Sequence, residues 1–422
     1  MHRLGPYQLY SFSFLVVIVI YLFGWSNIYP KLTLAVLSFL ILSIILSFLM
    51  GKFFNKHIYK NRILFENEFK FKKKYIFYTM IILCGNLLNG IYSHGFPLFG
   101  GFSYNNYGMP LINAGLGVFS SYFSSYIFLV LLLDKKYRKI SFILFVVSLG
   151  TFVLALSRGM IVITLLNCVW EYLGVKQYKK TKNKNYNKKF MLVSVVLGMY
   201  IFGLLGNYRL NNEVGLTDND IFNSNLILNV GDATQKFVTS FIPTPFYWTY
   251  LYASSPLANL QNIVDKRVEN NMSRKYEAFI FTQTIPTIFG KRLFAEFYQN
   301  EFNSADKTSN IVSDYNQSNQ YQISRNLNVG TTYYNAFYIL GWSGVFFMNV
   351  FILGLPIAYF LIFNRFLGRY GIIAYSIFNS MYLLLIFDNF IVFTGLSLQL
   401  LFPVIQGVYS KIKFKNNKKN IL

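Results

Sequence analysis

The sequence predicts an all-α integral membrane protein with about ten transmembrane helices and one large extracytoplasmic loop. Three observations carry that prediction. Apolar runs of roughly 17–25 residues recur along the 422-residue chain. A helix rising about 1.5 Å per residue needs that length to cross a hydrocarbon core about 30 Å thick. The Lys and Arg residues gather in alternate connections between those runs. Finally, the interval 208–335 breaks the apolar pattern and holds most of the acids. Mean hydropathy is +0.39, with 54% hydrophobic and only 13% charged residues, which no water-soluble domain shows.

In chain order, spans are expected over about residues 11–29 and 32–50, joined by a turn at Pro30-Lys31. A third, over 75–93, leads into HGFPLFGGFSYNNYGMP, whose Gly and Pro residues mark irregular structure. The fourth covers 111–133, and the fifth and sixth (140–156 and 159–175) form a hairpin with Ser157-Arg158 at its tip. The seventh, over 190–206, delivers the chain to the polar interval. An eighth (336–360) returns from it, and two more precede the basic tail. The chain thus divides into helices 1–7 (1–207), the loop (208–335), and helices 8–10 with the tail (336–422). The first apolar run lacks a small-residue cleavage site and reads as a retained anchor.

The net charge of +23 looks like a nucleic-acid signal until it is sorted by connection. Eight Lys/Arg fall between Lys52 and Lys74, four between Lys135 and Lys139, seven between Lys176 and Lys189, and five in the tail. All lie on one side of the predicted topology. The opposite side carries twelve Lys/Arg against eleven acids. This is the positive-inside pattern, with both termini cytoplasmic, and no nucleic-acid partner is implied. Cys84 and Cys168 both sit in apolar runs, so no disulfide staples the loop.

One run inside the loop, 241–260, is nearly apolar enough to span. Its three prolines would free backbone groups that lipid cannot satisfy, and a crossing there would put the basic tail outside. It is expected to be interfacial or re-entrant.

The candidate chemistry lies at helix ends on the loop side. Arg158 tips the helix 5–6 hairpin, Arg209 follows helix 7, and Arg325 precedes helix 8. A guanidinium grips phosphate oxygens with two parallel hydrogen bonds and stays charged, which suits a lipid-linked anion; anchoring to headgroups is the plainer role. Asp388, in LLLIFDNFIVF of helix 9, is a costly intramembrane acid expected to face a polar cavity or a helix neighbour. Glu171, near the cytoplasmic end of helix 6, is expected to snorkel. His94 is a candidate base, and Tyr333 and Tyr334 offer rings that stack on sugars or belong to the interfacial aromatic belt. Asp218-Asn219-Asp220 spells an Asp-x-Asp pattern that chance supplies easily in so Asp/Asn-rich a loop, and no metal site is expected.

These features together resemble the O-antigen and capsular polysaccharide polymerases, the Wzy-type oligosaccharide repeat-unit polymerases. The matching stretches are GFPLFGGFSYNNYGMP, ALSRGMIVITLL, GNYR, and the closing NVGTTYYNAFYILGWSGVFFMNVFILG. The resemblance implies a glycosyltransferase-C-like membrane fold in a bacterial cytoplasmic membrane. It implies outer-face transfer of a polyprenyl-diphosphate-linked oligosaccharide onto a newly flipped repeat unit, with no cofactor. By position it points to Arg158, Arg209 and Arg325 as catalytic; beside it, the residues themselves offer Asp388 or His94 as the base, and His94, Tyr333 and Tyr334 as substrate-binding groups. Membrane lipids, a chain-length regulator and a flippase would be its partners. An O-antigen ligase is the nearest alternative, and a glycan-lipid flippase or other transporter the alternative of a different class.

Overall fold

The structure is a computed structural model that describes residues 4–59, 69–100, 107–178, 188–213, 222, 224–267, 274–293, 320–324 and 327–419. Its elements are helical. They are α1 (Pro6–Tyr21), α2 (Leu34–Phe53), α3 (Lys74–Tyr92), α4 (Ile112–Leu133), α5 (Arg138–Leu154), α6 (Arg158–Tyr178) and α7 (Lys188–Glu213). Two short helices, α8 (Asn225–Val230) and α9 (Gln235–Val238), precede α10 (Pro245–Lys266), α11 (Lys275–Gln283) and α12 (Thr287–Leu293). The chain closes with α13 (Tyr334–Leu340), α14 (Trp342–Leu367), α15 (Gly371–Leu384), α16 (Thr394–Ser397) and α17 (Leu401–Lys419). The ends of these helices that meet the 208–335 interval define the loop face, and the opposite ends define the basic face.

Among the described residues, five helical runs are long and apolar enough to cross a membrane: Leu34–Ile58, Lys74–Tyr92, Ile112–Leu133, Arg158–Lys176 and Trp342–Leu384. The last is 43 residues long and breaks at Gly368 into α14 and α15. At 16 and 14 residues, α1 and α15 are shorter than the bilayer demands of a lone helix, and α5, at 17, stands at the lower limit, so these lengths give five clear spans and not ten. These helices pack through small residues that let backbones approach closely. Four serines of α4, Ser120, Ser121, Ser124 and Ser125, are buried, and Ser121 Oγ lies 2.7 Å from Thr164 Oγ1 of α6. Between α14 and α17, a Cβ on Gly407 would clash with the Phe366 carbonyl oxygen, so only glycine fits there.

The segment 241–260, expected to be interfacial or re-entrant, takes a form its prolines do not suggest. Instead of a broken segment, α10 is one continuous 22-residue helix. Pro245 stands at its start, where a missing N–H costs nothing. Pro256 lies inside, and the carbonyl it orphans, Tyr252 O, accepts from Ser255 Oγ at 3.4 Å. The helix follows the α1–α2 connection. Tyr250 Oη accepts from Trp25 N at 3.1 Å, Leu251 O accepts from Tyr29 Oη at 2.8 Å, and Gln261 Oε1 accepts from Thr33 N at 2.9 Å. Because that connection lies at the loop-face ends of α1 and α2, α10 runs along that face. It crosses α7 where Gly203 meets the Pro245 carbonyl.

The beginning of the loop is likewise anchored. Ile227, Phe237, Tyr247, Tyr250 and Leu251 form a second hydrophobic cluster, against which Trp25 packs. Backbone bonds from Thr234 N to Trp25 O and from Asn27 N to Asp232 O, both 2.9 Å, tie it down.

Two further expectations change. The eighth span is interrupted. α13 stops at Gly341, whose φ of +65° suits glycine, and α14 starts immediately afterwards. Arg267, the residue that follows α10, closes the break by donating from Nε to Tyr338 O at 2.8 Å, at the negative end of the α13 dipole. In the ninth span, α15 ends at Leu384, so Asp388 stands on an irregular stretch and not on a helix. The reason is long-range: Leu385 O accepts from Thr332 N at 3.0 Å, trading helical pairing for a bond to the end of the large loop.

Candidate functional site

The two irregular segments, 327–333 and 385–393, meet inside the bundle. Tyr333 fixes their depth. Its hydroxyl lies 2.5 Å from Tyr10 Oη, 3.2 Å from Ser43 Oγ and 3.0 Å from Asn349 Oδ1. Ser43 is nine residues into α2, about 14 Å below its loop-face end at the helical rise. Non-helical backbone at such depth persists only where protein buries it or where it lines a polar cavity. Here both happen. Asn259 of α10 clasps the first segment, donating from Nδ2 to Leu327 O and Val329 O at 2.7 and 2.8 Å and accepting from Ile323 N at 2.8 Å. The second segment is held from the loop by Asn389 Nδ2 to Gln283 O at 2.9 Å and by Thr287 N to Val392 O at 2.8 Å.

The far end of that second segment walls a cavity of about 250 Å³. Phe393, Thr394 and Gly395 form one side, and Asn86 of α3, Asn113 of α4 and Ser157 at the α5–α6 tip contribute to the others. Its lining is uncharged: amides and hydroxyls beside Leu116, Phe152 and Met160. That mixture suits a neutral group with both hydroxyls and an apolar face.

Arg158 lies on the rim. A tight turn, with Leu156 at φ +50° and Ser157 N bonded to Phe152 O at 2.8 Å, sets it at the first position of α6. Its side chain is exposed, while its neighbours Ser157 and Met160 line the cavity. Asp388 is exposed at the other end of the segment that supplies Phe393. Its Oδ1 accepts from Asn389 N at 2.6 Å.

The other expected site residues are placed elsewhere. His94 is exposed, at φ +57° in the turn after α3, and does not line the cavity. Tyr333 and Tyr334 are buried, and Tyr333 belongs to the hydroxyl cluster of α1, α2 and α14, so neither presents a free ring to a sugar. Arg209 is within the last turns of α7, which runs past residue 206 to Glu213, and its side chain lies outside the described residues. Arg325 and Asp218–Asp220 lie outside them as well.

Sequence reasoning passed over two features and misplaced a third residue. Lys291 and Arg292 sit on α12, which Thr287 and Ile288 dock onto Val392 and Thr394, so two loop cations stand next to the irregular segment. The basic pair in IFGKRLF was the available signal. Arg274 bonds Glu277 on α11 and holds that carboxyl below its usual range. Glu171 does not snorkel: it is wholly buried, because α4 and α15 cover its face of α6. Among the described residues no group of three or more His, Cys, Asp or Glu could hold a metal.

Fold and composition define the class: an all-helical protein with, among the described residues, five helical runs long and apolar enough to cross a membrane, against which the described parts of the 208–335 interval pack. Comparison with protein-family models, curated proteins and solved structures finds no match to this chain.

Proposed function

We propose that the protein is a glycosyltransferase that polymerises lipid-diphosphate-linked oligosaccharide repeat units at the loop face, taken as the outer face of a bacterial cytoplasmic membrane. The single observation carrying this reading is the joint presence, at one helix-end surface, of a neutral hydroxyl- and amide-lined cavity and an exposed arginine on its rim. A donor linked through a diphosphate already holds a good leaving group. The chemistry then needs a cation for the departing diphosphate, a base near the acceptor hydroxyl, and alignment of two substrates whose tails stay in lipid. Arg158 is suited to the first task and Asp388 to the second. Arg209 and Arg325 are further candidates by sequence position. The cavity would seat an acceptor sugar, with Asn86, Asn113 and Thr394 as hydrogen-bonding groups.

A transporter reading has its own support in the two interrupted helices that meet at depth, an arrangement transporters use to build binding sites. One experiment separates the two. Purified protein in liposomes, given only the lipid-diphosphate-linked repeat unit, is expected to produce a ladder of longer lipid-linked glycans without nucleotide sugar or ATP. A chelator should leave the ladder unchanged. Movement of the intact unit across the bilayer with no ladder would identify a flippase, and transfer only to a lipid core acceptor would identify a ligase. Arg158→Ala should lower the rate by at least ~10-fold with membrane abundance unchanged. Arg158→Lys should rescue partly, because a point charge lacks the two-pronged grip. An alanine variant with a full ladder would reduce Arg158 to an anchor.

A further inference from the structure

The least satisfied acid in the described structure lies outside the loop-face chemistry altogether. Glu171 is 0% exposed, and neither carboxyl oxygen has a hydrogen-bonding partner. Its level in the bundle follows from contacts on either side. In the antiparallel pair α6–α15, Asn167 Oδ1 accepts from Ser380 Oγ at 2.6 Å and Gly174 abuts Ile372, which puts Glu171 level with Tyr375 and Ser376. In the pair α4–α6, Ser121 meets Thr164, which puts it level with Phe128. The titratable groups that interact with it are Tyr122 of α4 and Cys168 one turn earlier on α6, and neither can be a counter-cation. The indole N–H of Trp170 and the hydroxyl of Ser124 are also buried without partners. A bare carboxylate is among the costliest groups a helix bundle can hold, so something must neutralise it.

A path of polar side chains leads to it from the loop-face cavity. Gly395 lines that cavity, and its carbonyl accepts from Gln399 Nε2 at 2.5 Å. Gln399 Nε2 also reaches Ser121 Oγ at 3.0 Å, and Gln399 Oε1 accepts from Asn167 Nδ2 at 3.1 Å. Ser121, Thr164, Asn167, Ser380 and Gln399 are all fully buried, in a region otherwise packed with Leu, Ile and Phe. One helical turn past Asn167 stands Glu171.

We propose that Glu171 is a proton-binding site, reached from the loop-face cavity along Gln399, Ser121, Thr164 and Asn167. The ligand is a proton rather than a metal cation for two reasons. Among the described residues no group of three or more His, Cys, Asp or Glu gathers around Glu171, and the nearest oxygens of the path are already bonded to one another. The exchange is an acid–base one: a carboxylate oxygen takes a proton from water that enters from the cavity beside these polar side chains, and gives it back to water on the same side. The amides of Gln399 and Asn167 line the course and do not themselves pass the proton. This site is independent of the polymerase reading.

The test uses the full-length protein and dicyclohexylcarbodiimide, an apolar reagent that adds only to the protonated form of a carboxyl. The adduct is located by peptide mass spectrometry. In detergent, labelling at Glu171 is expected to fall about tenfold per pH unit above its midpoint. It should be indifferent to sodium and absent in Glu171→Gln. In vesicles whose orientation is fixed by protease access to the 208–335 interval, labelling should follow the pH at the loop face. Three results would overturn the proposal: no adduct at any pH on protein that elutes as a single species, suppression by sodium at constant pH, or dependence on basic-face pH alone. The wild-type measurements need no substitution, so a misfolded variant cannot obscure the outcome.

Discussion

Tyr333 shows how one residue decides between roles that its sequence leaves equal. By type and position it suits either a sugar platform or the aromatic belt. Its hydroxyl instead joins α1, α2 and α14 through Tyr10, Ser43 and Asn349, and its ring meets that of Phe39 edge-on at 5.0 Å. Tyr333→Phe keeps the ring and deletes those bonds, while Tyr10 and Asn349 keep Ser43 as a partner. The expected loss is about 0.5–1.5 kcal/mol, measured as a lower midpoint of denaturation in detergent with polymer formation retained. An unchanged midpoint combined with lost polymer would move the hydroxyl into the substrate site. Arg158 is the opposite case. Sequence places it at a hairpin tip, the structure places it there too, and its exposure follows directly from that position.

Among elements, α10 is the most informative, since it holds most of what the loop contributes to the bundle. Its Asn259 bonds Ile323, Leu327 and Val329, its Asn262 bonds Tyr321 O, and Arg267, immediately past its end, caps α13. Asn259→Ala would strand a buried carbonyl, a half-buried one and an amide at a local cost of about 1–3 kcal/mol. The expected readout is faster hydrogen exchange at residues 321–332 and quicker proteolytic nicking there, with the α4–α6 amides unaffected. Equal protection in both proteins would mean that the segment is held by other contacts. The same helix shows the limit of proline arithmetic. Pro256 reads as a breaker, but Ser255 Oγ caps the freed carbonyl and tertiary contacts along residues 247–263 hold the helix in line.

For the whole molecule, sidedness remains an expectation of the charge pattern. Reporter fusions after Asn212 and Asp314 should report the extracytoplasmic side, and fusions after Lys182 and Lys415 the cytoplasm. A cytoplasmic signal at Asp314 would mean that α10 crosses the membrane, against its course along the α1–α2 connection.

Legibility followed locality. Chain segments alone determined the membrane class, α2 to α6 within a few residues, and the Ser157-Arg158 tip. Whether a run is long and apolar enough for lipid is a sum over neighbours in sequence. Tertiary structure alone decided the unwinding after Leu384, the break at Gly341, the continuity of α10 and the burial of Glu171. Each of these depends on a partner far along the chain: Thr332 for Leu385, Arg267 for the end of α13, the α1–α2 connection for α10, and α4 with α15 for Glu171. A backbone group leaves its helix, or a carboxyl leaves water, only when packing elsewhere offers a substitute or removes the choice, and no window of sequence contains that information.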